Sequence, residues 1–487
     1  MGKSPTTIVV VGTGIASSLL LAGLLEDRRR KIRVIVLERG RQESLSWKLA
    51  NRHNVQPHGV VSELRYRDTF ENLSPRKEWV FNLGFGGGSN VWWGCTPRFL
   101  PKDFKTHSHY GVGLDWPLSY GDLEPFYSKA EELMQIAGPS EHTPFKRSRP
   151  YPLPAHRLSS VDEALLKAHP DHFFALPTAR ASRSTPHRAA CCASGVCFLC
   201  PVGAKFTVEQ EMAALYQDPR VELLTGAEVS HLEINNADVT SAFVSIAGRD
   251  RRIQGDLYCL GANPIFNSAI LLKSGFTHAA LGRGIAEQRS IFFRARLRSL
   301  RGFDGGTSIT GHHYGWYDSA ARSHAAGCLI ETWNVPRIAL IGDPRSAFEF
   351  KAIFEDLPHS DSRVTLSAQG KPQVSYHGTT AYLRKGVEHF FATLSPLQET
   401  LGIEELLPAT PEQALNALSR TEGHIIGGHA MGSNPAVSVV DKYLRYHNSQ
   451  NLYLLGAGVF PTISPANPSL TVAALSLHCA DHLAALL

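Results

Sequence analysis

Cys191, Cys192, Cys197 and Cys200 put half of the chain's eight cysteines into one short run, CCASGVCFLCPVGAK. Thiolates this crowded hold a soft metal centre, form a redox-active disulfide pair or bind a structural zinc. The spacing lacks two clean CxxC knuckles, which counts against zinc. Cys95, Cys259, Cys328 and Cys479 are scattered, as in a reduced chain rather than a disulfide scaffold. By itself the run does not say whether this protein moves electrons.

A second set of residues is built for a phosphate-bearing ligand. Gly12-Thr13-Gly14-Ile15-Ala16-Ser17 lies between a strand pattern and a helix pattern, and Glu38 ends the next strand. Gly12 and Gly14 permit a tight turn and bring a pyrophosphate close to a helix N-terminus, whose dipole favours the anion. Glu38 is placed to accept hydrogen bonds from ribose hydroxyls, which favours a cofactor without a 2′-phosphate. Ser17 replaces the third glycine and loosens helix–strand packing without blocking the phosphates. The motif does not separate FAD from NAD. A glycine-dense loop, Gly84-Phe85-Gly86-Gly87-Gly88-Ser89-Asn90-Val91-Trp92-Trp93-Gly94, suits backbone lying against a flat ring.

These residues need elements to position them. TIVVV from Thr7 to Val11 reads as a buried parallel strand, Ala16 to Leu25 as a helix and Arg33 to Leu37 as a second buried strand. A helix over Phe206 to Gln217, strands over Val221 to Leu224 and Asp256 to Leu260, and a helix over Ile265 to Ser274 continue the pattern. Strand Leu452 to Leu455 and helix Thr471 to Leu487 restore it at the end. Residues 290–420 read as short strands and loops of an antiparallel sheet, and 138–160 as a surface excursion. The fold class expected is α/β (α+β): a Rossmann-like dinucleotide-binding domain from 1–285 and 425–487, carrying the cysteine segment 187–207. An antiparallel-sheet substrate-binding domain at 286–424 is inserted into it.

Composition narrows the class. With 43% hydrophobic and 19% charged residues in 487, the chain reads as an ordinary globular enzyme of several domains. A net charge of +5 is mild. The runs Arg28-Arg29-Arg30-Lys31 and Arg249-Asp250-Arg251-Arg252 lack interleaved aromatics, so nucleic-acid binding is not expected. No apolar run reaches the length of a membrane span. Ile8 to Leu25 contains Gly12, Gly14 and Gly23 and no cleavage site, so it is not read as a signal segment. A cytoplasmic location is expected, or a periplasmic one through co-export with a signal-bearing partner.

The chain resembles the glucose–methanol–choline (GMC) flavoprotein oxidoreductases over nearly its whole length. VVVGTGIAS with ERG, GGGSNVWWG, WPLSYGDLEPFY, LYCLGANPIFNSAILLKSG, FEDLPHSDSRVTLS, HIIGGHAMG, VVDKYLRYHNSQNLYLLGAGVFPT and NPSLTVAAL carry the likeness. The resemblance implies FAD, held by Gly12, Gly14, Ser17, Glu38, Gly86, Gly87, Ser89, Asn90, Val229, Gly456, Ala457, Pro468 and Thr471. Val91 stands near the place where some members attach the flavin through histidine, which implies a noncovalent flavin. Gly456 replaces an aspartate of many relatives, and GRGIAEQRS from Gly282 lacks a histidine they carry there. His424 and Asn467 match the family's catalytic pair, a base for the hydroxyl proton and an anchor for the oxygen. His429 is a weaker candidate for substrate contact. His312, His313, Tyr314 and Trp316 either line a polar pocket or are surface or core residues.

The cysteine run resembles a subgroup of bacterial FAD-dependent sugar and polyol dehydrogenases with an iron–sulfur cluster. The likeness implies [3Fe–4S] or [4Fe–4S] at Cys191, Cys192, Cys197 and Cys200, although the last spacing is one residue shorter than in some of those enzymes. The expected function is oxidation of a sugar, glycoside or polyol alcohol by FAD, with electrons leaving through the cluster to an external acceptor. A small subunit and a cytochrome are possible partners. Alternatives are an oxidase with structural cysteines, a flavin-bound lyase and a catalytically silent subunit.

Overall fold

The computed structural model describes residues 4–54, 61, 65–335 and 346–487. Its first sheet is parallel and five-stranded, in the order Leu452–Leu454, Leu257–Leu260, Thr6–Val11, Ile32–Glu38, Val221–Thr225. Three stretches far apart in the sequence therefore meet in one sheet. Ile8, Val9, Val10, Val34 and Val36 are buried, as the continuous apolar runs require when both faces are covered.

Helix Ile15–Leu25 follows the first strand, and its N-cap, Gly14, contributes no side-chain hydrogen bond. The first backbone N–H groups of the helix thus stay available to an anion. Leu19, Leu20, Leu21, Leu24 and Leu25 bury it nearly all round, and helix Ser469–Leu486 packs along it. Gly23 makes that packing close, because a Cβ there would stand 2.6 Å from Ala480 Cβ. Ser469–Leu486 is long and apolar enough to cross a membrane, but 61% of it is buried inside the protein.

The second major sheet is six-stranded and antiparallel, in the order Ile403–Leu407, Arg289–Leu297, Ala347–Phe354, Cys328–Trp333, Ile309–His313, Phe173–Ala175. Side chains alternate across its faces. Ile291, Phe293, Phe348, Phe350, Ala352 and Ile330 form a core with Leu383, Val387 and Phe390. The opposite face carries the cross-strand row Phe292–Lys351–Glu331–His312 and, two residues along, Arg294–Glu349–Trp333–Ile309. One face stabilises the sheet and the other turns charge toward the first sheet.

Two local expectations differ from what is observed. The helix expected over 206–217 is broken into Val208–Glu211 and a 3-10 turn Ala213–Gln217. Phe206 N–H donates to the Ala179 carbonyl at 2.8 Å, which holds the approach extended. The region 290–420 carries helices Ala381–Ala392, Ser395–Leu401 and Pro411–Asn416 besides its strands. Leu383, Val387, Phe390 and Leu394 fall on one helical face and cover the apolar side of the sheet. The basic run at Arg249 is an exposed edge strand, Arg249–Ile253, where charges discourage edge pairing.

Candidate active site

Between the two sheets lies a cavity of about 820 Å³, at the upper end of small-molecule sites. One end is built by Gly12, Thr13, Gly14, Ile15 and Ala16 at the open helix N-terminus, with Glu38 and Arg39 beside them. Gly12 has φ +88°, and a Cβ there would stand 2.6 Å from the Gly261 carbonyl oxygen, so only glycine fits. Gly87 has φ +49°, and its absent Cβ would meet Gly14 Cα at 3.2 Å. Thr13 ties the two glycine loops together: its hydroxyl accepts from Gly86 N–H at 3.0 Å and donates to Glu38 at 2.6 Å. Glu38 also accepts from the N–H groups of Thr13 and Gly40. It both organises the loop and retains a lone pair toward the cavity.

Gly12, Gly14, Glu38, Gly87, Ser89, Val229, Gly456 and Ala457 line this cavity. Ser17, Gly86, Asn90, Pro468 and Thr471 do not. Ser17 packs against Gly261, where its Oγ would lie 2.1 Å from an added Cβ. Asn90 is spent on Lys48 and the Phe85 carbonyl, and the Thr471 hydroxyl pairs with Tyr127. Gly86 has its amide on Thr13, and Pro468 caps the last helix. These five support the wall from behind. His429 is fully buried against Gly458 and Asn267, outside the cavity, so a substrate contact is excluded by position. His313, Tyr314 and Trp316 pack among aromatic rings of the sheet edge and do not line it either.

At the other end the cavity meets the charged face of the antiparallel sheet. His424, Asn467, Glu331, Lys351, Glu422, Phe292, Trp333, Trp92 and Trp93 line it. His424 Nδ1 lies 2.6 Å from Gln288 Oε1. The Gln288 amide nitrogen donates to the carbonyls of Ser464 and Ala466, the latter at 2.8 Å. Because those carbonyls can only accept, Oε1 must face His424, and Nδ1 must carry the proton. The Nε2 lone pair is left free. Burial pulls the His424 pKa down to about 4, with Lys351 adding to that and Glu422 and Glu331 opposing it.

Asn467 is fixed by the same logic. Its Nδ2 donates to Glu331 Oε1 at 3.3 Å, and the buried Oδ1 has no partner among the described residues. An unpaired buried acceptor is costly unless a ligand fills it. Glu331 also accepts from Trp333 Nε1 at 3.2 Å, and His312 stands 3.7 Å away. Burial favours its neutral form, yet His312, Lys351 and Asn467 hold its pKa at about 2. Lys351 pairs with Glu422, whose other oxygen accepts from Ser290. A neutral base and an unfilled amide acceptor thus stand in a wall of fixed charge, an arrangement suited to taking a proton from a hydroxyl.

Gln288, Glu331, Lys351 and Glu422 were not found by sequence reasoning. For Lys351 and Glu331 a signal existed: FEFKAIF and LIETW set charged residues at alternate positions in otherwise apolar strands. Gln288 and Glu422 lie in loops beside the sheet strands and carry no such pattern.

The four clustered cysteines sit on the far side of Trp93, which packs on Trp333 and on Phe198 of the cysteine run. All eight cysteines are free thiols. Cys191 Sγ lies 3.4 Å from Thr307 Oγ1 and Cys197 Sγ 3.3 Å from Ser308 Oγ, while Cys200 Sγ accepts from Ala204 N–H. Cys192 is exposed. Tetrahedral zinc at about 2.3 Å per sulfur needs sulfurs about 4 Å apart. Among the described residues no three cysteine sulfurs come within 4.8 Å of one another, so no zinc site is preformed. Arg180 and Lys205 are buried beside the run, and among the described residues neither meets a carboxylate. Arg180 donates to Thr307 and to the Trp93 and Ile309 carbonyls, and Lys205 to the carbonyls of Asn90, Trp92 and Phe198. Burial pulls Lys205 down to about 7, against the neighbouring thiols. Two such cations suit an anionic thiolate centre.

His359, Asp361 and His377 are the one group of three possible ligands whose ligand atoms come together among the described residues. Their imidazoles stack 3.6 Å apart at 8°, so no ion can lie in both ring planes. The group is a surface stack rather than a chelate.

Comparison with known proteins gives these features a context. Residues 358–476 match the family described as GMC oxidoreductase. The chain is 27% identical to fructose dehydrogenase large subunit of Gluconobacter japonicus, across 97% of each chain. It is 26% identical to paromamine 6'-oxidase of Streptomyces fradiae, over 82% of this chain and 78% of that one. For gluconate 2-dehydrogenase flavoprotein of Pantoea cypripedii the identity is 22%, over 96% and 92%. Pyridoxine 4-oxidase from Mesorbium loti shares the fold, with a TM-score of 0.66 at 18% identity, over 98% of this chain and 99% of that one.

Proposed function

We propose that this chain acts as a GMC oxidoreductase that oxidises an alcohol of a sugar, glycoside or polyol as a dehydrogenase with noncovalent FAD. In that reading Cys191, Cys192, Cys197 and Cys200 would hold an iron–sulfur cluster, which would supply one-electron transfer to an external acceptor. The observation carrying the catalytic part is that His424, its Nδ1 engaged by Gln288, and Asn467, whose Oδ1 has no partner among the described residues, line the same end of the cavity. Relatives over the full length that are named for sugar oxidation support the substrate class.

FAD bound along Gly12–Ala16 and Gly87–Ser89 supplies the two-electron acceptor for the hydride of the carbinol carbon. His424 Nε2 takes the hydroxyl proton, and Gln288 keeps the imidazole in the required tautomer. Asn467 offers two complementary groups, the second Nδ2 hydrogen for the reacting oxygen and Oδ1 for a neighbouring hydroxyl. Such a pair suits a substrate with adjacent hydroxyls. Trp92, Trp93 and Trp333 exclude water from this end. Arg180 and Lys205 offset the negative charge that thiolate-held iron and sulfide would bring.

Anaerobic addition of sugars and polyols to purified enzyme tests the reading, with flavin absorbance, iron, acid-labile sulfide and EPR as measurements. Bleaching with iron and sulfide present supports it, and no bleaching by any alcohol excludes the oxidation. Bleaching with no iron or sulfide favours the second reading, an oxidase with structural cysteines. Among the described residues no three cysteine sulfurs come within 4.8 Å of one another, and that is the observation behind the second reading. Peroxide formed in step with flavin reoxidation would establish it.

A further inference from the structure

Gln288 is fully buried and does not line the cavity, yet it bonds His424 and the backbone just before Asn467. Its Oε1 faces His424 Nδ1 at 2.6 Å. Its Nε2 is bound to the carbonyls of Ser464 and Ala466, and Ala466 directly precedes Asn467. Turning the amide over would set its oxygen against two carbonyl oxygens and its NH2 against an imidazole N–H. Only one orientation satisfies every group.

We propose that Gln288 is a positioning residue that fixes the tautomer of His424 and sets the distance between that base and the Asn467 amide. A single neutral amide thereby holds two residues 43 positions apart in the sequence at one spacing. Its neutrality matters as much as its shape. The charged groups facing His424 are Glu422 and Lys351, already paired, and Glu331 across the cavity. A carboxylate at position 288 would place a full negative charge on Nδ1 and stabilise the imidazolium, which cannot accept a proton. The amide orients the ring without charging it. Gln288 supplies a hydrogen-bond acceptor that cannot titrate.

The inference rests on His424 being the base, and the test separates the two. Three variants, Gln288→Glu, Gln288→Met and His424→Asn, are compared by the pH profile of anaerobic flavin reduction. Flavin content and thermal midpoint confirm folding. Gln288→Glu is expected to move the acid limb upward by more than one pH unit. Gln288→Met is expected to lower the reduction rate about 10- to 100-fold, with the acid limb in place and a rise in KM as the Asn467 segment loosens. Gln288→Glu with an unmoved limb, or Gln288→Met within about threefold of wild type, overturns the positioning role. If Gln288→Glu does not fold, Gln288→His replaces it: a new titrating step in the profile supports the role and an unchanged profile overturns it. Wild-type bleaching by His424→Asn instead defeats the base assignment, whatever the Gln288 variants do.

Discussion

At the scale of single residues, the active end of the cavity works by leaving particular atoms unfilled. Burial keeps His424, the base of the proposed reaction, unprotonated far below the usual imidazole range, with its pKa at about 4. A base acts when neutral, so flavin reduction should rise through about pH 4 and stay flat across neutrality. A pH–rate profile in single-turnover mode checks this, and an acid limb near the ordinary histidine value would contradict the burial argument. His424→Asn should slow reduction by roughly 10²- to 10⁴-fold while the flavin stays bound. Glu331 acts one step back. Glu331→Gln removes the charge that selects Nδ2 of Asn467, so the amide can turn over; KM for a polyol should rise about tenfold or more, with flavin content unchanged. Because its folded pKa is depressed, Glu331 contributes stability that is complete above the ordinary carboxylate range and is lost as pH falls toward about 2.

At the scale of elements, the antiparallel sheet separates stability from chemistry by alternation alone. Phe350 and Lys351 are adjacent in one strand and point to opposite faces. Phe350 stacks on Phe293 with centroids 4.8 Å apart in the sheet–helix core, while Lys351 lines the cavity. Phe350→Ala should cost about 3–5 kcal/mol of stability and leave turnover per folded molecule nearly unchanged. Lys351→Met should reverse that pattern, and calorimetry beside kinetics distinguishes the two. The strand-to-helix turn is as position-specific: Gly12→Ala drives a Cβ into the Gly261 carbonyl and should yield a folded protein without flavin, read as absorbance per chain. The same alternation explains what was legible in the sequence. Parallel strands reveal themselves as unbroken apolar runs, and the glycine loop by its composition. The helices at 381–416 were missed although Leu383, Val387, Phe390 and Leu394 mark a face, because short helices beside strands give a mixed period. Gln288 and Ser17 illustrate the remaining limit, since which side of a wall a polar residue faces is set by packing across the fold.

At the scale of the whole molecule, two sheets of opposite type enclose a ligand neither could hold alone. In the proposed reading the parallel sheet would present backbone to phosphates, and the antiparallel sheet side chains to substrate. The cysteine run lies beyond the tryptophan wall of the same cavity, with Cys192 exposed and Cys197 buried. Arg180 and Lys205 are buried beside it, which the sequence does not reveal. The parallel sheet also has a consequence for biosynthesis. Its first and last strands flank Leu257–Leu260, and its opening helix is covered by Ser469–Leu486. At about 5–20 residues per second on a ribosome, Thr6–Val11 must wait roughly half a minute or longer for those final elements. Through that interval Thr6–Val11 can pair with Ile32–Glu38, while the leucines of Ile15–Leu25 still lack the cover of Ser469–Leu486.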